Sequence, residues 1–154
     1  MPSREASNPT DVPLGAALRE LIAAAKHESV QRQHEYIGTE HLVLALSRQT
    51  GDAAALRALA LDPQRVYDLI DGTIRRGSGA LGPDLERPFT TRTKSVLSFA
   101  AESARQLGRT HVGVAHLIVG LMRERMNIAA QVLASEGLTV DRAQDYARLN
   151  GANG

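Results

Sequence analysis

An all-α fold of eight helices, arranged as two four-helix units related by a pseudo-two-fold axis, is predicted by three features of the sequence. Aromatic residues make up only 3% of the chain and Trp is absent. The core must therefore come from Ala, Leu, Val and Ile, side chains that suit closely packed helices. Apolar residues recur at helical spacing along most of the chain. The second half also repeats the first. Shifted back by 75 residues, Val96-Leu97 falls on Leu21-Ile22, Gly113 on Gly38, His116-Leu117 on His41-Leu42, Leu121 on Leu46 and Ala129-Ala130 on Ala54-Ala55. Past that point the shift becomes 77, with Leu133 on Leu56 and Leu138 on Leu61, which implies a loop two residues shorter in the first copy.

Each element has its own signal. Residues 1–13 carry Pro2, Pro9 and Pro13 among Ser, Asn and Thr, and read as a flexible tail. The first repeat is expected over 14–74. Leu18, Leu21, Ile22 and Ala25 form one stripe of a helix reaching about Gln33. Gly38 then breaks the chain, and Thr39 is placed to N-cap a helix through about Arg48. A short helix is expected from Ala53 to Ala60. Asp62 and Pro63 start the fourth, with Asp as cap and Pro at the first helical position, where a missing N–H costs nothing. Residues 75–88, with Gly77, Gly79, Gly82, Pro83 and Pro88, read as a linker.

The second repeat, 89–150, follows the same order. Val96, Leu97, Ala100, Ala104 and Leu107 form a stripe that stops at Gly108, and the run from His111 to Leu117 opens the next helix. Asn127 can cap a helix reaching Glu136, stopped by Gly137, and Thr139 a last one to about Leu149. Val114, standing where Thr39 stands, has no side chain to cap with, so the second-repeat start should be the less well satisfied.

The bulk composition excludes several functions. The chain has 154 residues, enough for one domain with a real core. Lys and Arg total 18 against 17 Asp and Glu, a balance that favours neither nucleic acid nor an anionic membrane. The absence of Cys removes disulfides and thiol chemistry. No apolar run approaches the ~18 residues of a membrane span. The N-terminus lacks the order of a signal peptide, so a cytoplasmic location is expected. His27, His34, His41, His111 and His116 do not form the paired helical spacing of a zinc hydrolase. No nucleophile has a recognisable base partner. Neither a cofactor nor an enzymatic activity is expected, and a monomer is the simplest state.

Four strings tie the chain to a known family. Tyr36-Ile-Gly-Thr-Glu-His-Leu-Val-Leu-Ala-Leu46 resembles the "IGTEHLLLGLL" signature of Clp ATPase N-terminal repeats. Pro88 to Leu97 resembles the "FTPRAKKVL" start of the second repeat, Ala101 to Gly113 its "EEARRLGHNYIG" continuation, and Ala129 to Leu138 its "AARVLEELGV" run. The likeness covers about residues 14–150. It implies two Clp repeats and a docking role in which peptides, adaptors or phosphoarginine-tagged proteins are received for a ClpC-type unfoldase. No G-x-x-x-x-G-K-[ST] string is present to hold nucleotide phosphates. The resemblance therefore implies an adaptor or decoy, which would also meet cyclic peptide antibiotics aimed at the unfoldase. The alternative is a regulatory interaction module with decayed pockets, acting outside proteolysis.

The resemblance also names candidate site residues. The acid of the GTEH motif is expected to accept a bidentate hydrogen bond from a guanidinium, and the helix-start Thr of the same repeat to lie near the phosphate. Carried over within each repeat, the first site has Glu40, beside Thr39, with Gly15 where the Thr belongs, and Gly15 still offers backbone N–H groups. The second has Thr90, with Ala115 where the acid belongs. Glu40 also suits the positive end of a helix dipole, and Thr90 is placed to cap a helix. Phe89 and its repeat-mate Leu14 are either hydrophobic staples or an exposed apolar floor, rimmed by Arg92 and Lys94, that receives a partner.

Overall fold

The structure, a computed structural model, describes residues 12–48, 50–79, 82 and 84–150. Apart from Val12 and Pro13, the expected flexible tail lies outside them. Eight helices and no strands occur among the described residues: α1 (Ala16–Gln31), α2 (Thr39–Arg48), α3 (Thr50–Ala58), α4 (Pro63–Thr73), α5 (Thr91–Gln106), α6 (Val114–Glu124), α7 (Ile128–Ser135) and α8 (Val140–Asn150). Both ends of α5 stand 75 residues after those of α1, and both ends of α8 stand 77 after those of α4.

The change of register comes earlier than the sequence suggested. α2 ends at Arg48 and α3 starts at Thr50, whereas α6 ends at Glu124 and α7 starts at Ile128. The two extra residues therefore lie in the α6–α7 connection. Burial confirms it: Ala53, Ala55 and Leu56 face the core, as do Ala130, Val132 and Leu133, 77 residues on, while Ala54 is exposed. The pairing of Ala129-Ala130 with Ala54-Ala55 is thus corrected, because an Ala-rich run fits either register until burial selects one.

Two helices form the centre. Every residue from Leu42 to Leu46 in α2, and from Leu117 to Leu121 in α6, is buried. A helix apolar on all sides must be surrounded. α1 and α4 cover α2, and α5 and α8 cover α6. Gly120 lets α5 and α6 come together, since a β-carbon there would lie 2.3 Å from the Val96 carbonyl oxygen.

Capping follows the sequence at four helices. The Asp62 side chain accepts from the Gln64 and Arg65 N–H groups, Thr90 from Thr93, Asn127 from Ala130 and Thr139 from Arg142. Gly108 and Gly137 take positive φ where α5 and α7 stop. The described residues of the linker carry no helix, and Gly77 and Gly79 are laid along the α1–α2 turn. Gly77 N–H donates to the Arg32 carbonyl at 2.8 Å and Gly79 N–H to that of Gln33 at 2.9 Å. Arg87 is buried and donates to the His34 carbonyl.

Candidate binding site at the paired helix starts

The residues just ahead of four helices pair across the two repeats. Leu14 forms an isolated parallel bridge with Val112, and Phe89 forms its counterpart with Ile37. The Val112 N–H donates to the Pro13 carbonyl, and the Gly15 N–H to that of Val112, each at 2.8 Å. In the other copy the Ile37 N–H donates to Pro88 at 2.8 Å, and the Thr90 N–H to Ile37 at 3.1 Å. Backbone geometry is repeated and the connectivity is crossed: α1 starts beside α6, and α5 beside α2.

This crossing corrects the pairing read from sequence. Thr90 is bonded to Ile37, three residues before Glu40, so the helix-start Thr and the acid share one entrance. Gly15 is bonded to Val112, three residues before Ala115, so both replaced positions share the other. Glu40, Thr39, Thr90, Phe89 and Lys94 thus gather where α2 and α5 begin, and Leu14 and Gly15 belong to the α1–α6 entrance. The identity of each residue was readable from the repeat. Which repeat it faces was not, because the bridges join positions 52 and 98 residues apart.

The α2 start is built by Gly38 and His41. Gly38 occupies the cap position, its carbonyl accepting from the N–H groups of His41 and Leu42, while Thr39 is the first helical residue. His41 Nδ1 accepts the Gly38 N–H at 2.9 Å, the reaching-back half of a capping box. His116 Nδ1 does the same for Gly113 at 2.8 Å. Thr39 is therefore not the cap; it is 3% exposed. Val114 is no handicap either, because both starts use the same Gly and His.

Proton positions in the first repeat follow from the bonds. His41 accepts at Nδ1, so its proton is on Nε2, which lies 2.7 Å from His34 Nδ1. His34 then carries its proton on Nε2 and donates to the Arg75 carbonyl at 2.6 Å. Burial first, then the nearby His34 and Arg32, push the His41 imidazole down to about 3, so it stays neutral. Burial and Arg109 lower His116 likewise.

Glu40 is half-buried, and its carboxylate lies over Gly38: a β-carbon on Gly38 would stand 2.3 Å from Oε1. The Tyr36 hydroxyl donates to Oε2 at 3.4 Å. Burial pushes the pKa of the tyrosine hydroxyl up, and the Glu40 charge and hydrogen bond push it further, so the phenol keeps its proton. Tyr36 stacks on His34 with ring centres 5.1 Å apart. This orienting role was missed in the sequence, where Tyr36 is only the first letter of a motif.

Across the entrance, Thr90 Oγ1 accepts the Thr93 N–H at 3.1 Å and lies 2.8 Å from Thr93 Oγ1. Phe89 and Leu14 are half-buried and pack against the core. Neither is a staple in the strict sense, since the residue on which Phe89 would close is Lys94, which is exposed. Arg92 pairs with Glu124 at 3.2 Å, leaving Lys94 as the unpaired cation of that rim among the described residues. The Gly15 N–H is taken by Val112, so α1 keeps its first-turn N–H groups without a side-chain cap. An acid over a glycine, a hydroxyl, an exposed ammonium and an apolar ring form a surface suited to a ligand with both cationic and anionic groups. No helix among the described residues is long and apolar enough to cross a membrane.

Comparison with known proteins gives the family and the fold. The family described as the Clp repeat (R) N-terminal domain matches residues 14–136. The "Negative regulator of genetic competence ClpC/MecB" of Bacillus subtilis (strain 168) is 35% identical over 138 residues, which are 88% of this chain and 17% of that protein. The chain thus spans about a sixth of that relative's length. Among solved structures, the Hsp104 N-terminal domain from Candida albicans superposes with a TM-score of 0.72 at 13% identity, covering 91% of this chain and 93% of that one. The N-domain of ClpV from Vibrio cholerae gives 0.73 at 17%, covering 88% and 83%.

Proposed function

The chain belongs to the Clp repeat (R) N-terminal domain family, and from that premise we propose that it is a non-catalytic docking module of the Clp proteolysis system. It acts in the cytoplasm, binds peptides, phosphoarginine-bearing proteins or adaptors, and serves a ClpC-type unfoldase as adaptor or decoy. The observation that supports this reading is the Ile37–Phe89 pairing, which collects Glu40, Thr90, Phe89 and Lys94 at one entrance. There the Glu40 carboxylate receives the guanidinium of a phosphoarginine by a charge-assisted pair of hydrogen bonds. The phosphoryl oxygens meet Lys94 and the N-terminus of α5. Phe89 supplies apolar area for the residues that flank the tag, and a cyclic peptide antibiotic would use the same Phe89–Lys94 surface.

Calorimetric titration with a phosphoarginine peptide, and with its unphosphorylated form as control, tests this. Selective binding that weakens about tenfold or more in Glu40→Ala is expected, since a hydrogen bond to a charged group is worth ~1.5–3 kcal/mol. Equal binding by Glu40→Ala would sink the proposal. One observation favours the second reading, a regulatory interaction module with decayed pockets: the α1–α6 entrance offers Gly15 and Ala115 in place of both polar groups. No binding of either peptide would support that reading.

A further inference from the structure

Far from the helix starts, the two repeats carry equivalent clefts of opposite character. In the first repeat the groove lined by Gln31, Arg32, Tyr67, Asp71 and Arg76 carries an ion-pair network of its own. Arg32 Nη1 meets buried Glu28 at 2.6 Å, and its Nη2 meets both Asp71 and the Tyr67 hydroxyl at 2.8 Å. Arg48 adds contacts to Glu28 at 3.5 Å and to Tyr67 at 3.1 Å. Two carboxylates thus face two guanidiniums, and the charges cancel within the fold.

At the same positions in the second repeat, Ser103 replaces Glu28, Leu107 replaces Arg32, Gln144 replaces Tyr67 and Arg148 replaces Asp71, while Arg123 keeps the place of Arg48. The buried carboxylate of Glu28 and the half-exposed one of Asp71 are both gone, and two arginines remain. They line a cavity of about 190 Å³ between α5, α6 and α8, together with Ser103, Gln106 and Gln144. Each arginine is also paired with a carboxylate that does not line the cavity. Arg123 Nη1 meets Glu102 at 3.1 Å, and Arg148 pairs with the exposed Asp145. Arg109 docks on the Arg148 carbonyl at 2.9 Å and brings a third cation to the end of α8, with its Nε buried and without an acceptor.

We propose that this cavity is a binding site for a tetrahedral oxyanion of the phosphate class, separate from the helix-start entrance. Two guanidiniums offer paired N–H donors to a dianion, and Ser103 and Gln144 supply neutral donors for the remaining oxygens. The ligand takes the place that Glu28 and Asp71 hold in the first repeat.

The test is an amide NMR titration of the full chain with inorganic phosphate, against sodium chloride at equal ionic strength. Saturable shifts at Ser103, Gln144 and Arg148 are expected with phosphate and not with chloride. Ser103→Glu and Arg148→Asp, each restoring a carboxylate of the first repeat, should weaken binding by about tenfold or more. Arg148→Asp lies at an exposed position and carries the test if Ser103→Glu does not fold. No saturable shift, equal shifts with chloride, or unaltered binding by the Arg148→Asp variant would overturn the proposal.

Discussion

At the α2–α5 entrance, Glu40 and Thr90 stand on backbone bonded through Ile37. At the α1–α6 entrance, the same bonds run through Val112 and carry Ala115 and Gly15. The scaffold is duplicated and the chemistry is not. The same holds deeper in the fold, where Glu28, Arg32 and Asp71 of the first repeat face Ser103, Leu107 and Arg148 of the second. A repeat preserves what the backbone needs, namely apolar stripes, caps and the crossed bridges. Side chains that serve only one copy are free to diverge, so the differences between copies mark where function can reside.

The largest expected contrast lies in the clefts. Glu28→Ala removes the buried carboxylate partner of Arg32, whose side chain is 11% exposed, and leaves it Asp71 and Tyr67; it should cost about 1.5–3 kcal/mol. Ser103→Ala at the equivalent site should cost less than about 1 kcal/mol. Urea unfolding of both variants checks this, and equal losses would mean that the first-repeat network contributes little to the fold.

The buried histidines come next. His41 makes two ring hydrogen bonds, whereas His116 makes one and leaves Nε2 without a partner. His41→Ala should therefore destabilise more than His116→Ala, by about 1–3 kcal/mol. Both imidazoles are held neutral in the fold and are free to charge when unfolded. Stability should accordingly be full above about pH 6.5, and be lost as pH falls from there toward 3, at up to ~1.4 kcal/mol per pH unit for each group. His41→Ala should flatten that fall, as denaturation followed across pH will show; an unchanged slope would remove His41 as its source.

Helix, repeat and cap were legible because each rests on local chemistry. Asp62, Thr90, Asn127 and Thr139 needed only their own sequence neighbours to be read as caps, and burial of α2 and α6 was written in their unbroken apolar runs. What stayed hidden depends on pieces far apart in the chain. The exchange of partners between repeats is set by Leu14 with Val112 and Phe89 with Ile37, and no periodicity carries that information. The histidine cap was overlooked for a different reason. Gly38-Thr39 looks like a cap dipeptide, and only the ring nitrogen of His41 on the Gly38 N–H shows that Gly holds the position.

The smallest effect sharpens the entrance comparison. Gly15 adopts φ −75° and ψ 167°, close to the −66° and 163° of Thr90, so the backbone there already suits Thr. Gly15→Thr should add a few tenths of a kcal/mol by capping α1, whereas Thr90→Ala should lose about 1 kcal/mol. Thermal unfolding of the pair checks the sign of each.

The central claim is that each entrance is assembled from both repeats, and the most direct measurement is calorimetric stoichiometry with a phosphoarginine peptide on the Gly15→Thr, Ala115→Glu double variant. One site on the parent chain and two on the double variant, with neither single change adding a site, is the expected result. A second site created by Gly15→Thr alone or by Ala115→Glu alone would contradict the crossed assembly and return the pairing to within one repeat.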